Sequence, residues 1–530
     1  MRTRVVVVVV LLLLAALSPS AGAGPRTART LDRARAAMSG RLGPRAATAA
    51  LRDLALERSR LDGGDERRAD ALLARPTQPG SVDAVSYPSG VPVRNLCGGG
   101  VCVHWVTSGE HAPPAQDSDG DGAPDQAEFS LETFEHVASV VIGSLGYQPP
   151  KDDSASAEPG PNGATDIYLA DTGAVGLYGY CASDDPALAD PARAGRDASL
   201  YCVIDDDFML DQFPGSESPT SALKATAAHE YFHAVQGGYD FGEDLWFMEA
   251  TATWVEDVVF DDVSDHYRYL RWSAIPRPGF PIDYRDGGPN VSHPYGAWLF
   301  IRFLTEYFGS DGLPAHEVVR ETWARAAWRE GHPDDLDEFS AQALRNVVLG
   351  RGDDLPSVVA NFHMNNFRAE AFYEEGQSYV DALVGAGLNP RPFLTKTHWF
   401  SRSTYTTGWW GQEVRHLSAL NIGFHPREGV AASTRVRVQI DGPTAKSGPR
   451  ARAIVAFTDG TYDMSYMRLN EEGDGAKTFA FGGGAVDMVT IAMVNGSTRY
   501  TDCGSGYLLS CWGRSRDDQR VFRWRATVVP

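Results

Sequence analysis

The stretch His229-Glu230-Tyr231-Phe232-His233 is the most informative part of this sequence. Two histidines four residues apart lie on one face of a helix, one turn from each other. That spacing lets both imidazoles reach a single tetrahedral metal ion of the zinc type. The glutamate between them then lies beside the open coordination position, where it can accept a proton from an activated water. The spacing therefore predicts a zinc site with hydrolytic chemistry.

The residues around these five favour a buried helix, which we expect over 222–236. Most of the flanking residues from Ala227 to Val235 are apolar, and Lys224 is the one nearby charge besides Glu230. Burying two histidines and a glutamate costs free energy unless a metal compensates. The context therefore strengthens the prediction of a metal.

The third ligand must come from elsewhere in the chain. The metzincin pattern needs glycine at position 236 and histidine or aspartate at position 239, where this chain has Gln236 and Tyr239. Asp240 and Asp244 are nearby carboxylates that could serve. Glu249 is better placed, because it lies near the start of a second apolar helix and can turn back to complete a His2Glu site.

The segment HEYFHAVQ, followed by WFMEATATWVED, resembles the gluzincins, the thermolysin-like group of zinc metallopeptidases. It is most similar to secreted bacterial members that carry a WxxEA or WxxEG segment. The resemblance is strong over about 220–260 and fainter over 91–390. It implies a zincin-like metallopeptidase domain.

The resemblance also implies a role for each residue of the site. His229, His233 and Glu249 are the implied zinc ligands, and Glu230 is the implied general base. Fifteen residues separate His233 from Glu249, fewer than in thermolysin-like enzymes. Glu256, seven residues further along the same helix face, is therefore the alternative third ligand.

Four residues are candidates for supporting roles. Related gluzincins use a tyrosine or histidine from a downstream subdomain to stabilise the oxyanion. His293 and Tyr295 both fit, and we prefer Tyr295; a core position that caps a helix is the alternative. Glu256 or Asp257 could orient a ligating imidazole, or could lie on the solvated helix surface.

A second metal site is predicted at residues 117–128, DSDGDGAPDQAE. Acidic residues occupy positions 1, 3, 5, 9 and 12 of a twelve-residue calcium loop, and glycine occupies position 6. The prolines upstream exclude an entering helix, so the loop resembles those of dockerin and thrombospondin type 3 modules. That implies a structural calcium ion that holds a helix starting near Glu128, whereas an acidic surface loop is the alternative. The predicted ligands are the side chains of Asp117, Asp119, Asp121, Asp125 and Glu128 and the carbonyl of Ala123.

The N-terminus predicts export. A short basic start precedes 13 apolar residues, Val5 to Leu17, and a small-x-small cleavage site ends at Ala23. Residues 1–23 are therefore a predicted signal peptide, with an uncleaved anchor as the alternative. We expect a secreted, extracellular protein with no membrane partner after cleavage.

The six cysteines fall into three local couples. An exported chain is expected to oxidise them, and six cysteines allow 15 connectivities. We expect the nearest-neighbour pairs because each couple flanks one turn or one strand pair. The pairs are Cys97–Cys102, Cys181–Cys202 and Cys503–Cys511.

Charge is distributed unevenly. Residues 1–75 contain 14 arginines, no lysine and 7 acidic residues, a net of +7, so the rest of this −21 chain carries −28. An acidic mature protein argues against nucleic acid or an anionic membrane as a partner. The metallopeptidase resemblance implies a peptide or protein substrate. We expect a monomer.

The chain divides into three parts after the signal peptide. Residues 24–90 are an Arg/Ala-rich helical segment with a linker, either a propeptide that covers the cleft or a structural arm. Residues 91–395 read as strands, such as the alternating run Val101-Val106, followed by helices, which predicts an α+β metallopeptidase domain. Residues 396–530 alternate like short strands and predict an all-β sandwich.

The implied function is that of a secreted zinc metallopeptidase. Two alternatives stay open because the zinc spacing dictates water activation and leaves the substrate undetermined. One is a zinc hydrolase of a non-peptide bond. The other is an inactive or weakly active binding protein on a zincin scaffold at the cell surface.

Overall fold

A computed structural model describes residues 26–529, except 62, 83, 157, 190–196, 286–291, 310–313, 329–337, 402–404, 428 and 483. The predicted signal peptide, residues 1–23, lies outside the described residues. Within the described ranges, no helix is long and apolar enough to cross a bilayer. The described part of the chain combines many helices with several sheets, which is compatible with the predicted α+β class.

The N-terminal segment forms three helices: α1 (Arg26–Met38), α2 (Ala47–Glu57) and α3 (Gly63–Leu73). Their alanines and leucines belong to the same apolar core as the first sheet and the central helices. The segment is therefore packed into the protein.

The first sheet has five strands in the order β1-β2-β3-β5-β4. The three central strands β2, β3 and β5 are parallel, whereas β1 and β4 are antiparallel edges. Buried strands of this kind read as continuous apolar runs, as in the predicted strand Val101-Val106. The bounds are β1 (Val93–Gly98), β2 (Val101–Val106), β3 (Thr165–Leu169), β4 (Gly179–Ala182) and β5 (Tyr201–Ile204).

Disulfides cross-link this sheet at its two antiparallel pairs. Cys97 faces Cys102 between β1 and β2, and Cys181 faces Cys202 between β4 and β5. The third bond joins Cys503 and Cys511. The predicted pairing is confirmed. In the first two bonds, directly opposed residues of antiparallel strands lie within disulfide reach.

A long helix, α5 (Pro219–Asp240), packs against the first sheet and against three of the other helices. Its start is set by Ser218, whose hydroxyl accepts the Ser221 amide at 3.0 Å, and by proline at the first helical position. The predicted helix 222–236 is its middle part. The others are α4 (Asp125–Ala138), α6 (Leu245–Val259), α7 (His293–Gly296), α8 (Trp298–Gly309), α9 (Glu317–Ala326), α10 (Ser340–Gly350), α11 (Leu355–Asn365), α12 (Ala369–Phe372) and α13 (Gly376–Gly385).

The C-terminal part is built from two larger sheets that share one apolar core. One has the order β11-β10-β13-β8-β6 and the other β12-β9-β16-β7, and a two-stranded sheet pairs β14 with β15. The bounds are β6 (Lys396–Phe400), β7 (Trp410–Val414), β8 (Ser418–Pro426), β9 (Arg435–Asp441), β10 (Pro449–Phe457), β11 (Tyr462–Met467), β12 (Asp474–Ala480), β13 (Val486–Asn495), β14 (Tyr500–Thr501), β15 (Arg514–Ser515) and β16 (Arg520–Val529).

The loop between β14 and β15 reaches back to the helical part. The Tyr500 hydroxyl and the Ser510 amide both donate to Asp283 Oδ2, at 2.7 and 3.0 Å, and the Cys511 amide donates to Asp244 Oδ2 at 3.0 Å. All five groups are buried or partly buried. These hydrogen bonds stabilise the turn that precedes α6.

Candidate metal centre

The helices α5 and α6 pack together and place three ligand-type atoms at one point. The Nε2 atoms of His229 and His233 lie 3.1 Å apart. Glu249 Oε2 lies 3.3 Å from the first and 3.6 Å from the second. All three side chains are 1% exposed, so water does not solvate them in this arrangement.

Hydrogen bonds on the far side of each ring orient the two imidazoles. His229 Nδ1 lies 2.8 Å from Glu256 Oε1, and His233 Nδ1 lies 2.7 Å from Gln236 Oε1. The Gln236 amide is held in this orientation because its nitrogen donates to the Met248 carbonyl at 2.9 Å. Both acceptors favour a proton on Nδ1, which leaves the Nε2 lone pairs directed at the shared point.

This arrangement requires a positive charge at the shared point. Both oxygens of Glu249 are buried without a hydrogen-bond partner. Burial acts to raise the pKa of Glu249, but the facing imidazoles of His233 and His229 outweigh it and lower the pKa to about 2. An ionised carboxylate between two imidazoles fits either a proton shared by the rings or a metal ion with nitrogen and oxygen ligands. The donor set suits a metal.

Tyr295 lies beside this group, and Glu230 is close enough to Tyr295 to affect the pKa of its hydroxyl. Glu230 Oε2 accepts a hydrogen bond from Thr48 Oγ1 at 2.9 Å. The Tyr295 ring stacks on His229, with ring centroids 5.8 Å apart, and its hydroxyl donates to the Arg45 carbonyl at 2.6 Å. Burial, with Glu249 nearby, raises the pKa of Tyr295, so the hydroxyl keeps its proton and remains a donor.

Several other candidates lie outside the three-residue group. His293 faces the backbone carbonyls of Trp272 and Pro281 with its two ring nitrogens. Asp240 accepts the Gly242 amide, and Asp244 is occupied by the C-terminal loop. These contacts point the three side chains away from the shared point.

Glu256 and Asp257 make different contacts in the structure. Glu256 orients His229 and forms a buried ion pair with Arg45, so it acts behind the ligand ring. Asp257, on the next face of α6, accepts from Arg302 at 3.1 Å and lies 3.7 Å from His266. Neither side chain is on the solvated helix surface.

Comparisons with known proteins give no family. No protein-family model matches the chain, and no curated protein matches it. One solved structure that does match is described as a novel family GH115 4-O-methyl-α-glucuronidase with specificity for decorated arabinogalactans. The identity is 8% and the TM-score 0.14, over 61% of this chain and 42% of that one, so the match spans less than half of that enzyme's length. A likeness this low bears on neither fold nor activity.

The predicted calcium loop brings three carboxylates together, those of Asp117, Asp119 and Asp121. Backbone amides within the loop donate to all three, for example the Gly120 amide to Asp117 Oδ1 at 2.7 Å. Asp125 instead accepts the Ser118 amide and hydroxyl, at 2.7 and 2.6 Å. It begins α4, three residues before the predicted helix start.

Glu128, the twelfth loop position, lies close enough to the four aspartates to interact with their charges. Partial desolvation, followed by the charges of Asp119, Asp121, Asp125 and Asp117, raises the pKa of Glu128. A bound cation would relieve this repulsion. Ala123 is buried below the loop.

Sequence reasoning missed two kinds of residue. Gln236 lies three residues after His233, a spacing that a helix brings to one face, so the sequence carried a signal for it. Thr48 lies 182 positions from its partner Glu230, and Arg45 lies 211 positions from its partner Glu256. No local sequence pattern indicates such pairs.

A second, largely buried group of carboxylates was also not predicted. Asp171, Asp205 and Asp206 meet in the loops that follow β3 and β5. Burial raises the pKa of Asp205 to about 7 and that of Asp206 to about 8. Parallel neighbours end at the same sheet edge, which is why these loops converge.

Proposed function

We propose that this protein is a secreted zinc metallopeptidase of the gluzincin type, on a zincin-like scaffold. One observation carries the proposal: ligand atoms of His229, His233 and Glu249 converge on one buried point, and Glu230 lies between the two histidines on α5. Two imidazoles and one carboxylate form the donor set of catalytic zinc sites that keep a fourth position open.

A bound zinc ion would supply a Lewis acid for the scissile carbonyl and make a neighbouring water more acidic. In this proposal Glu230 accepts the water proton and passes it to the leaving amine. Tyr295, protonated and beside His229, donates to the developing oxyanion. Glu256 and Gln236 keep the two ligand imidazoles in the required tautomer and orientation.

Two further features agree with export. Three disulfides are present, and such bonds persist in oxidising compartments outside the cytosol. The acidic loop at 117–128 has the composition of a structural calcium site, and calcium is abundant outside cells. We propose calcium there and a peptide or protein substrate at the zinc site.

The experiment is a comparison of Glu230→Gln with Glu217→Gln, an exposed carboxylate just before α5. Each protein is analysed for zinc content and for cleavage of a peptide library, with and without a chelator. We expect Glu230→Gln to keep zinc and lose about 10²- to 10⁴-fold of the hydrolysis, because only the base is removed. Glu217→Gln should match the wild type. Absence of stoichiometric zinc in the native protein would end the proposal.

A further inference from the structure

The helix α2 lies over the candidate metal centre. Every one of its residues is buried except Leu56, which is partly exposed. A helix on a protein surface buries one stripe, whereas a helix enclosed on all sides is an interior element. The rest of the N-terminal segment closes over α2, because α1 and α3 both pack on it. The segment therefore covers the metal centre and restricts the access of a peptide to it.

The N-terminal segment forms hydrogen bonds and ion pairs with the polar groups that the proposed reaction needs. Thr48 donates its hydroxyl to Glu230, and the Arg45 carbonyl accepts the Tyr295 hydroxyl. The Arg45 guanidinium pairs with Glu256, and also with Asp265 at 3.0 Å. The proposed base and oxyanion donor are thus both occupied by neighbouring residues of one short stretch, while the carboxylate that orients His229 is paired with Arg45.

The segment also covers the open edge of the first sheet. The Cys181 amide in β4 donates to Thr48 Oγ1 at 2.9 Å, and the Tyr178 amide donates to the Pro44 carbonyl at 3.2 Å. Amides on an edge strand are the groups with which an extended peptide pairs. Residues 44–48 therefore stand where a peptide bound along β4 would lie.

We propose that residues 26–57 are an intramolecular inhibitor of this site, and that the protein is latent until the segment is released. This inference rests on the proposed peptidase function and adds its regulation. The attraction is partly electrostatic, because an arginine-rich segment packs on an acidic protein. Release exposes Glu230, Tyr295 and the β4 edge together.

The structure also marks where the inhibitor ends. Arg75 is fully buried and pairs with Asp153, Asp166 and Asp184, and the chain beyond it is tied to the first sheet. Residues from 75 onward are therefore part of the folded domain. The turn Arg58–Arg60 between α2 and α3 is the exposed, basic connection between the two parts. The inhibitor is thus shorter than the predicted segment 24–90.

The experiment introduces a recognition sequence for a site-specific protease between Ser59 and Arg60 of the full chain. A tether of this kind holds its segment at an effective concentration in the millimolar range, so dilution of the cut protein to about 1 µM favours release. Two readouts are taken before and after the cut. The first is peptide hydrolysis, and the second is the rate at which excess dipicolinate removes zinc from the loaded protein.

We expect the cut to raise hydrolysis by at least about 10-fold and to speed zinc removal similarly, because a buried site reacts only in the fraction of molecules that is open. A synthetic peptide of residues 26–59 should reverse both effects. Arg45→Met should raise both rates even in the uncut chain. Arg67→Met, an exposed arginine on α3, is the matched control and should change neither.

The outcomes separate this inference from the proposed function. If zinc removal accelerates but no form cleaves peptides, the inhibitor stands and the peptidase proposal falls. If the uncut protein already cleaves peptides at the rate of the cut one, and zinc removal is equally fast, the inhibitor is refuted and the peptidase stands. The segment could stay bound after cutting, so the cut is also made in the Arg45→Met protein, whose segment is held less tightly. If hydrolysis and zinc removal are unchanged there too, the inhibitor is refuted.

Discussion

The substitution Glu256→Gln separates an orienting residue from a metal ligand. In the structure Glu256 Oε1 lies 2.8 Å from His229 Nδ1, on the side of the ring that faces away from Glu249. Glutamine keeps the shape and one acceptor oxygen, but it removes the charge that makes the imidazole a stronger donor to the metal. His229 therefore stays in place and binds zinc less tightly.

The expected loss of zinc affinity follows from the position of Glu256 behind the ligand His229. Removing such a partner costs about 10- to 100-fold in metal affinity, which is about 1.4 to 2.8 kcal/mol. Glu249→Gln should cost more, because it removes a charged group at the shared point itself. Asp257→Asn is the matched control, since Asp257 lies on the same helix and contacts Arg302 and His266 instead of a ligand ring.

The assay is an equilibrium competition for zinc against a chromophoric chelator, with circular dichroism to verify folding. Equilibrium affinity is the right quantity, because Glu256→Gln also loosens Arg45 and would change the rate of zinc exchange. If Glu256→Gln lost as much affinity as Glu249→Gln, Glu256 would be the third ligand. If it matched Asp257→Asn, the orienting role would be wrong.

Two other perturbations test separate parts of the molecule. Asp119→Asn combined with Asp121→Asn should abolish the rise in melting temperature that calcium produces; the rise in the wild type corresponds to about 2.7 kcal/mol at 100 times Kd. Asp152→Asn, an exposed aspartate outside the loop, should leave that rise intact. His363, buried in α11, has its pKa lowered by burial to about 3. The unfolded chain binds a proton at this histidine near pH 6.5, whereas the folded chain does not. Between pH 7 and pH 5 the free energy of unfolding of the wild type should therefore fall by about 2 kcal/mol more than that of His363→Leu. Urea unfolding at the two pH values measures the difference. Equal losses in the two proteins would show that His363 is not the cause.

What the sequence determined by itself was local. The helical spacing of His229 and His233, the strand Val101-Val106 and the acidic loop at 117–128 all depend on contacts within a few residues. Periods of 3.6 and 2 residues and loop consensus patterns express such contacts directly. The three disulfides belong here too, because each joins neighbours across one turn or one strand pair.

Only the tertiary structure decided between Glu249 and Glu256. Seven residues apart on α6, they lie on nearly the same face, about 10 Å apart along the helix axis, so their sequence pattern is equivalent. The packing of α6 on α5 places Glu249 at the Nε2 side of His229 and Glu256 at the Nδ1 side. The same holds for Thr48 and its partner Glu230, since a contact across 182 residues reflects how whole elements pack and leaves no periodic trace in the chain.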